Sequence, residues 1–535
     1  PVVIQMADGA NAIEFRDCEL HRPLLNPLAI VVEPEDGNTS WTVQFVNINF
    51  TNVNILVRSP RQAIVNSTVE VLNSSVSCRS AAFGPFTGDT YHLHCLTVEV
   101  TEVAVVTGLT FRVDDGSTII ATTTFANEIA NGLLLFVNRS GVTEAVVRNV
   151  SWVIGPGSRL TIQGHLNVRV MALWSVDATL VPSNLSFVVG AVGPTQRTAF
   201  VSAWRLSGGG LDDFGVLCSS NVDTVNVTAT LAATTVCVTR MRLLSFTYLA
   251  GATISIVKTH FEMFPGSGSL TRGSSLLLAQ DRSDKGPQLS LSNVVVRFDE
   301  VHCTQPFIAI FVFRTALRAD FVVNHSSLWS ASVAAPAQYV MGHFFTTFFD
   351  SRFVSLTIAN GSQVVSPTIV TSLQGACSNC RFLISSQSNL VSVGEDDGFA
   401  QPPTVFGFTL SANGMVNTSV ELLDSNLTLR LPSPPSGAVI TSVRLLDFES
   451  GSSISPMAPS FEDLIISVRD CNITASATIG ATPTVHVLSA SNAGTMMRVS
   501  IYISRTLLML NASGTLGSIA NFLSFPGPLY VTGTT

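Results

Sequence analysis

The sequence has very little lysine and few charged residues of either sign. Two of its 28 basic residues are lysines, Lys258 and Lys285, and charged residues make up 12% of the 535 residues. The formal charge is −8, and the basic residues do not cluster. A nucleic-acid partner held by a basic surface is thereby excluded. Because 46% of the residues are hydrophobic, an intrinsically disordered chain is excluded as well.

Long apolar runs and helical periodicity are also missing. The apolar run at 306–313 (PFIAIFVF) is far shorter than the roughly 18 residues that a membrane helix needs. The sequence therefore predicts no membrane span within this segment. It also lacks a basic stretch followed by an apolar stretch, as in a signal peptide. We expect the segment to belong to a longer chain.

Strand patterns are present throughout the chain. Residues 65–78 (VNSTVEVLNSSVSC) and 464–474 (LIISVRDCNIT) alternate apolar residues with polar ones, and Val, Ile, Thr and Phe dominate. Gly, Asn, Ser and Asp interrupt these stretches at short intervals. Many short strands separated by tight turns favour a sandwich, a barrel or a β-helix.

Several short phrases recur along the chain. The phrase at 15–18 (FRDC) returns at 468–471 as VRDC, and a Gly followed by small and apolar residues begins at Gly116, Gly157, Gly251 and Gly273. A third phrase, Ser-Asn followed by alternating apolar residues, begins at Ser183, Ser292, Ser388 and Ser425. Degenerate repeats of this kind indicate a solenoid.

We therefore predict an all-β fold, a parallel β-helix (β-solenoid) with about 22 to 26 residues per turn. Residues 1–535 are expected to form one continuous solenoid, because apolar alternation resumes directly after each candidate linker. Those linkers are interpreted as irregular loop insertions at 207–215, 265–287, 394–403 and 431–437.

The nine cysteines are scattered, with a single CxxC at Cys377 and Cys380. Metal or redox chemistry is one interpretation of that motif, but no thioredoxin-like pattern surrounds it. Cys377 and Cys380 are therefore candidates for a local disulfide, with buried thiols as the alternative. The odd number leaves one cysteine free or paired with another chain.

Asparagine glycosylation motifs are unusually frequent. About half of the 29 asparagines begin an Asn-x-Ser/Thr sequon, where chance predicts about six. This excess predicts a secreted or cell-surface glycoprotein with N-linked glycans. The alternative is that strands rich in Ser and Thr generate sequons incidentally. The predicted sites are Asn38, Asn49, Asn66, Asn73, Asn138, Asn149, Asn184, Asn226, Asn324, Asn360, Asn417, Asn426, Asn472 and Asn511.

Three segments share short Val/Asn/Ser strands and arginine in place of lysine. They are Asn66–Ser80 (NSTVEVLNSSVSCRS), Val147–Gly155 (VRNVSWVIG) and Val294–Cys303 (VVVRFDEVHC). The texture of these segments resembles the dispersed gene family surface proteins of kinetoplastid flagellates. The resemblance implies a large extracellular glycoprotein with pectin-lyase-like β-helix segments and a C-terminal membrane region. It also implies a surface or adhesive role.

No residue pattern typical of catalysis or of a cofactor stands out. Adjacent acids occur at 114–115, 212–213, 395–397 and 462–463, and we interpret them as turns or solvated loops. His92 and His94 would point to one side of a strand, but a third metal ligand is not apparent. We therefore predict no catalytic residue, no metal and no cofactor, and we expect the chain not to be an enzyme.

These expectations describe an extracellular structural or adhesive glycoprotein. Its partners would be identical or related chains, in a surface or flagellar-hair-type filament stacked end to end or in a longer solenoid. The alternative is a carbohydrate-binding adhesin that uses Trp41, Trp152, Trp174, Trp204 or Trp329 as sugar platforms, although core packing is the competing role for these residues. A polysaccharide lyase or hydrolase on a β-helix is a further alternative.

Overall fold

The computed structural model describes most of the chain. It covers residues 1–535 except 7–8, 24–27, 35–38, 60–62, 80–90, 102–104, 125–127, 138–145, 165–166, 176–179, 192–197, 206–214, 221–223, 240–243, 247, 264–274, 278–289, 304–308, 314, 331–342, 348–349, 367, 374, 394–403, 411–413, 432–441, 451–459, 478–483, 492–494, 513–518, 525–529 and 533–535.

The strands wind as a parallel β-helix, which confirms the predicted fold class. In the first coil the chain passes through Val2–Gln5, Ala12–Arg16 and Glu19–His21, and each strand pairs with its counterpart in the next coil. All the described pairings are parallel, and the described residues contain no helix. A coil therefore contributes one strand, or two short ones, to each of three sheets.

The chain divides into two compact units. The first comprises Pro1–Gly268 with Asp281–Gly286, and the second comprises Ser269–Gln280 with Pro287–Thr535. Each is described below by itself, and a single continuous solenoid stays a prediction. The predicted loop at 265–287 contains a short strand, Ser275–Leu277, whereas 394–403 lies outside the described residues, as do most of 207–215 and 431–437.

The first unit contains three sheets, named 1A, 1B and 1C. Sheet 1A comprises Val2–Gln5, Leu28–Glu33, Val53–Ser59, Tyr91–Val100, Glu128–Val137, Asn167–Ser175, Gly215–Ser220 and Leu244–Phe246. Sheet 1B comprises Ala12–Arg16, Thr42–Val46, Ile64–Val65, Thr68–Leu72, Val105–Thr107, Thr110–Asp114, Val146–Ile154, Ser183–Val189, Thr224–Ala232 and Tyr248–Val257. Sheet 1C comprises Glu19–His21, Asn49–Thr51, Ser75–Arg79, Thr118–Thr122, Arg159–Gly164, Ala199–Arg205, Thr234–Thr239 and His260–Met263.

The second unit repeats this plan in sheets 2A, 2B and 2C. Sheet 2A comprises Ser275–Leu277, Ala309–Phe313, His343–Thr347, Thr368–Leu373, Thr404–Leu410, Ser442–Ser450, Thr484–Ser491 and Ile519–Ser524. Sheet 2B comprises Ser290–Asp299, Thr315–Asn324, Ser351–Ala359, Cys377–Ser378, Arg381–Ile384, Met415–Leu423, Phe461–Arg469, Thr495–Met497, Ser500–Ser504 and Tyr530–Thr532. Sheet 2C comprises His302–Cys303, Ser327–Trp329, Gln363–Val365, Asn389–Val393, Asn426–Leu431, Asn472–Ala477 and Leu507–Ala512.

The coils differ in length more than the sequence suggested. Thr228 pairs with Thr253, 25 residues later, whereas Thr418 pairs with Leu464, 46 residues later. The prediction of about 22 to 26 residues per turn is therefore correct only for the shortest coils. The extra residues lie between paired strands, so they leave the pairing register unchanged.

The interior of each unit is a set of stacked columns of apolar side chains. In sheet 1B the rings of Phe111, Trp152 and Phe187 lie on successive coils, with centroids 5.7 and 4.7 Å apart, and all three side chains are fully buried. Strands such as Thr68–Leu72 alternate buried and partly exposed residues, as the sequence predicted. Burial of these columns is the main stabilising contribution that the fold offers.

Sheet 1A departs from simple alternation. Every residue of Glu128–Val137 is buried, including those that point away from the interior columns. Leu134, Phe136, Ala172 and Trp174 form a separate buried cluster, in which the Phe136 and Trp174 rings stack at 4.6 Å. The unbroken apolar run GLLLFV at 132–137 reflects this burial on both faces.

Candidate glycan-bearing face

A column of left-handed backbone positions runs along sheet 1B. Its members lie in register on successive coils and have φ between 50° and 77°. Gly and, less readily, Asn and Asp adopt this conformation at low cost, whereas the Cβ of most other residues approaches the backbone too closely. The column consists of Asn66, Gly108, Asn149, Asn184, Asn226 and Gly251.

A second column, of hydroxyl side chains, lies two residues further along each strand. Thr110 and Thr253 follow the glycines of the first column, so the hydroxyl is present where no sequon exists. The strand period of two places these side chains on the outer face. Where an asparagine of the first column precedes a member of the second, an Asn-x-Ser/Thr motif results. The second column consists of Thr68, Thr110, Ser151, Ser186, Thr228 and Thr253.

Four sequons, those of Asn66, Asn149, Asn184 and Asn226, therefore arise where the first column supplies an asparagine beside the hydroxyl of the second column. At these positions the fold itself explains why sequons are frequent, without any requirement for glycosylation. It leaves the residues chemically competent for glycosylation, because the same asparagines point outward.

Asparagine side chains from neighbouring coils bond to one another in a ladder. Nδ2 of Asn73 donates to Oδ1 of Asn47 at 2.7 Å, and Nδ2 of Asn47 donates to a carboxylate oxygen of Asp17 at 3.0 Å. The same amide-to-amide bond joins Asn184 to Asn149, Asn360 to Asn324, Asn417 to Asn379 and Asn472 to Asn426. Each such bond engages a side-chain amide N–H group that would otherwise bond to water.

The corner that follows sheets 1B and 2B has a recurring two-residue form. A left-handed residue is followed by a small buried one, whose side chain bonds to backbone carbonyl groups. Ser74, which follows Asn73, donates to the carbonyl oxygen of Leu72 at 2.6 Å and accepts from the amide of Ile48 at 3.1 Å. Ser117, Ser326, Ser362, Ser388 and Ser425 are buried at equivalent corners.

One of the repeated sequence phrases is a copy of this turn. In the phrases FRDC and VRDC, Asp17 and Asp470 are both left-handed. The thiols of Cys18 and Cys471 each donate to the carbonyl oxygen two residues earlier, at 3.0 and 3.1 Å. The recurrence was visible in the sequence, but its assignment to a corner needed the structure.

The described sequon asparagines all lie at the surface. Asn324 is half-buried. Asn38 and Asn138 lie outside the described residues, as does the side chain of Asn511. The exposed ones are Asn49, Asn66, Asn73, Asn149, Asn184, Asn226, Asn360, Asn417, Asn426 and Asn472. This placement is compatible with glycosylation, which stays a prediction.

The structure has a different disulfide from the one expected. Cys377 and Cys380 are buried, separate thiols on either side of left-handed Asn379, and a hydrogen bond from Cys377 lowers the pKa of the Cys380 thiol. The disulfide joins Cys78 in sheet 1C to Cys95 in sheet 1A, 17 residues apart. The scattered spacing of these two cysteines gave no sequence signal, because the fold brings together strands from different sheets.

The tryptophans are mostly core residues. Trp41 and Trp152, which follow sequons closely, are 1% and 0% exposed and are thus unsuited to packing against a glycan. Trp174 is buried in the cluster on sheet 1A, and the side chain of Trp204 lies outside the described residues. Trp329, on the outer face of sheet 2C, is 39% exposed and is the one described indole available to a sugar.

The acidic residues singled out in the sequence do not converge. Asp114 accepts from Arg112 at 2.7 Å beside the turn at Asp115, whereas Glu462 and Asp463 bind Arg498. The acids at 212–213 and 395–397 lie outside the described residues, as do the side chains of His92 and His94. In the described part of the chain, no group of three or more His, Cys, Asp or Glu is placed to hold a metal ion.

Near the end of sheet 2B, ion pairs replace the amide ladder. Left-handed Asp470 and Arg505 occupy equivalent corners of successive coils, and Nη2 of Arg505 donates to Asp470 at 2.7 Å. This hydrogen bond lowers the pKa of the Asp470 carboxyl. Asp463 and Arg498 form a similar pair, and Arg498 likewise lowers the pKa of Asp463.

Comparison with known proteins gives no family assignment. No protein-family model matches the sequence, and no curated protein matches it. Over the described residues, no helix is long and apolar enough to cross a bilayer.

Proposed function

We propose that this chain is an extracellular structural or adhesive glycoprotein. The observation that carries the proposal is the position of the sequons, since ten of the described sequon asparagines are exposed and one is half-buried. The proposal includes a surface or secreted location, N-linked glycans and membership of the kinetoplastid surface-protein family that the sequence resembles. It assigns the chain a structural role and no catalytic one.

Expression through a eukaryotic secretory pathway tests the proposal. The secreted chain is expected to run well above its 56.8 kDa polypeptide mass and to return to that mass after enzymatic removal of N-glycans. Glycopeptides should map to exposed sequons such as Asn73 and Asn417. A secreted chain at the bare polypeptide mass would reject the glycoprotein role and leave the incidental origin of the sequons.

End-to-end stacking of coils is the second part of the proposal. The inner column Ile384, Leu422, Val468 and Ile503 is in register on four coils of sheet 2B. The first three side chains are 1% exposed, whereas Ile503 is 41% exposed. A further coil, from a second copy or from a continuing chain, would bury this apolar side chain and pair the strand edge.

A carbohydrate-binding adhesin is the second candidate function. Exposed Trp329 favours it, because an exposed indole ring is a suitable platform for a sugar ring. Binding to a glycan array is the test. This role would be supported if binding is lost in Trp329→Ala and retained in a variant of the buried cluster on sheet 1A, such as Trp174→Phe. Equal binding by both variants would remove Trp329 from it.

A further inference from the structure

Three pairs of predicted glycosylation sites are in direct contact through their side chains. Nδ2 of one asparagine donates to Oδ1 of the other in each pair. The distances are 3.0 Å for Asn184 to Asn149, 3.2 Å for Asn360 to Asn324 and 3.1 Å for Asn472 to Asn426. The two members of a pair lie 35 to 46 residues apart in sequence, so sequence spacing alone does not reveal the contact.

N-glycosylation would place a large group on Nδ2, which in the donating asparagine is the atom that makes this contact. The glycan is transferred from a lipid-linked oligosaccharide: a bond forms between sugar C1 and Nδ2, the bond from C1 to the lipid diphosphate breaks, and Nδ2 loses one proton. The remaining Nδ2 hydrogen still allows one ladder bond. One glycan per pair is therefore compatible with the ladder.

Two glycans on one pair are not compatible with the stacked coils. Neighbouring strands are about 4.8 Å apart, which is less than the width of a branched oligosaccharide. We propose that each stacked pair carries at most one N-glycan in the folded protein. This inference rests on the proposed glycoprotein function and adds to it a rule for which sites are occupied together.

Asn426 and Asn472 form the cleanest pair for a test. They face each other in register in sheet 2C, both are exposed, and their next neighbours in the column, Asn389 and Leu507, begin no sequon. Asn73 and Asn417 supply matched controls. Each makes the same ladder bond, but to an asparagine outside any sequon, Asn47 or Asn379.

The experiment measures site occupancy in the full chain secreted from eukaryotic cells, by quantitative glycopeptide mass spectrometry. We expect the occupancies of Asn426 and Asn472 to sum to no more than one glycan per chain. Thr428→Ala removes the Asn426 sequon without touching the ladder asparagine, and Thr474→Ala does the same for Asn472. Removing the sequon of the more occupied member should raise the occupancy of the other by about the amount lost. Thr428→Ser, which keeps the sequon, should leave the summed occupancy of the two sites at or below one glycan per chain.

The outcomes separate this inference from the function on which it rests. A summed occupancy above one glycan per chain, or no rise at the partner site in either alanine variant, would overturn the exclusion while glycans at Asn73 and Asn417 still support a glycoprotein. Bare asparagines at Asn73 and Asn417 would overturn the proposed function, and the exclusion with it. Secretion of each variant at the wild-type level checks that folding is unchanged.

Discussion

Single residues at the coil corners carry much of the information in this sequence. A left-handed position accepts Asn or Gly readily, and at several of these positions Asn also bonds to an asparagine of the neighbouring coil. The sequence showed the abundance of Asn, but two different physical demands produce it. Surface glycosylation and corner geometry both select Asn followed by a hydroxyl residue, so counting sequons could not separate them.

The ion pair of Asp470 and Arg505 should make its corner sensitive to acid. Arg505 lowers the pKa of Asp470, so the pair stabilises the corner above the carboxyl's ordinary pKa and this contribution is lost as pH falls through the lowered value. Hydrogen exchange, corrected for intrinsic rates, is expected to speed up around residue 470 below that range. Asp17, which occupies the same corner type but bonds to Asn47, is the internal control. An equal response at both corners would contradict the role of Arg505.

Cysteine reactivity should distinguish the disulfide in the structure from the expected one. Alkylation of the unfolded, unreduced chain is expected to modify Cys377 and Cys380 but to spare Cys78 and Cys95, because only the latter two are joined. Peptide mass spectrometry with and without reductant gives the answer. Protection of Cys377 and Cys380 before reduction would restore the local disulfide predicted from the CxxC spacing.

At the level of the element, sequence patterns indicated where strands lie better than they indicated which sheets come into contact. Two-residue alternation predicted most strands well, because one face of each is usually buried. It was less informative for Glu128–Val137, where both faces are buried and polarity no longer alternates. The pairing of Cys78 with Cys95 was hidden for a related reason, since sequence patterns locate strands but do not show which sheets approach each other.

The buried corner serines should be essential to the elements that they join. Ser74→Ala removes an acceptor for the amide of Ile48 and a donor to the carbonyl of Leu72, and we expect it to lower the free energy of unfolding by about 1–3 kcal/mol. Ser75→Ala, at the exposed neighbouring position, is the control and should have little effect. Urea denaturation of unglycosylated protein is the measurement, since Ser75→Ala also removes the Asn73 sequon. Equal midpoints for the two variants would show that the buried hydroxyl contributes nothing.

For the molecule as a whole, the sequence predicted the fold class and the surface position of the described sequons. The division into two units falls within 265–287, a stretch rich in Gly and Ser that the sequence offered as a candidate linker. We interpreted that stretch as a loop insertion, because apolar alternation resumes after it. The sequence could not predict the contacts between distant sequons, because coil length varies from 25 to 46 residues and removes any fixed spacing.

Association between molecules should depend on the exposed inner column. If a second copy covers Ile503, the wild-type chain is expected to associate with rising concentration in analytical ultracentrifugation, and Ile503→Asp should reduce that association at least several-fold. Leu317→Asp, at another exposed apolar residue on a strand that is paired on both sides, is the matched control. A wild-type chain that stays monomeric at all concentrations would reject stacking between copies.

The unequal coils have a consequence for how such a chain can change. Each strand pairs with the corresponding strand of the next coil, whatever the length of the coil. Residues added between two strands therefore lengthen one coil and leave the next strand facing the same neighbour. Thr228 and Thr418 start coils that differ by 21 residues, yet both pair with the corresponding strand of the following coil. Insertions and deletions between strands are thus a route by which surface segments can diversify in length and sequence while the stacked interior is inherited unaltered.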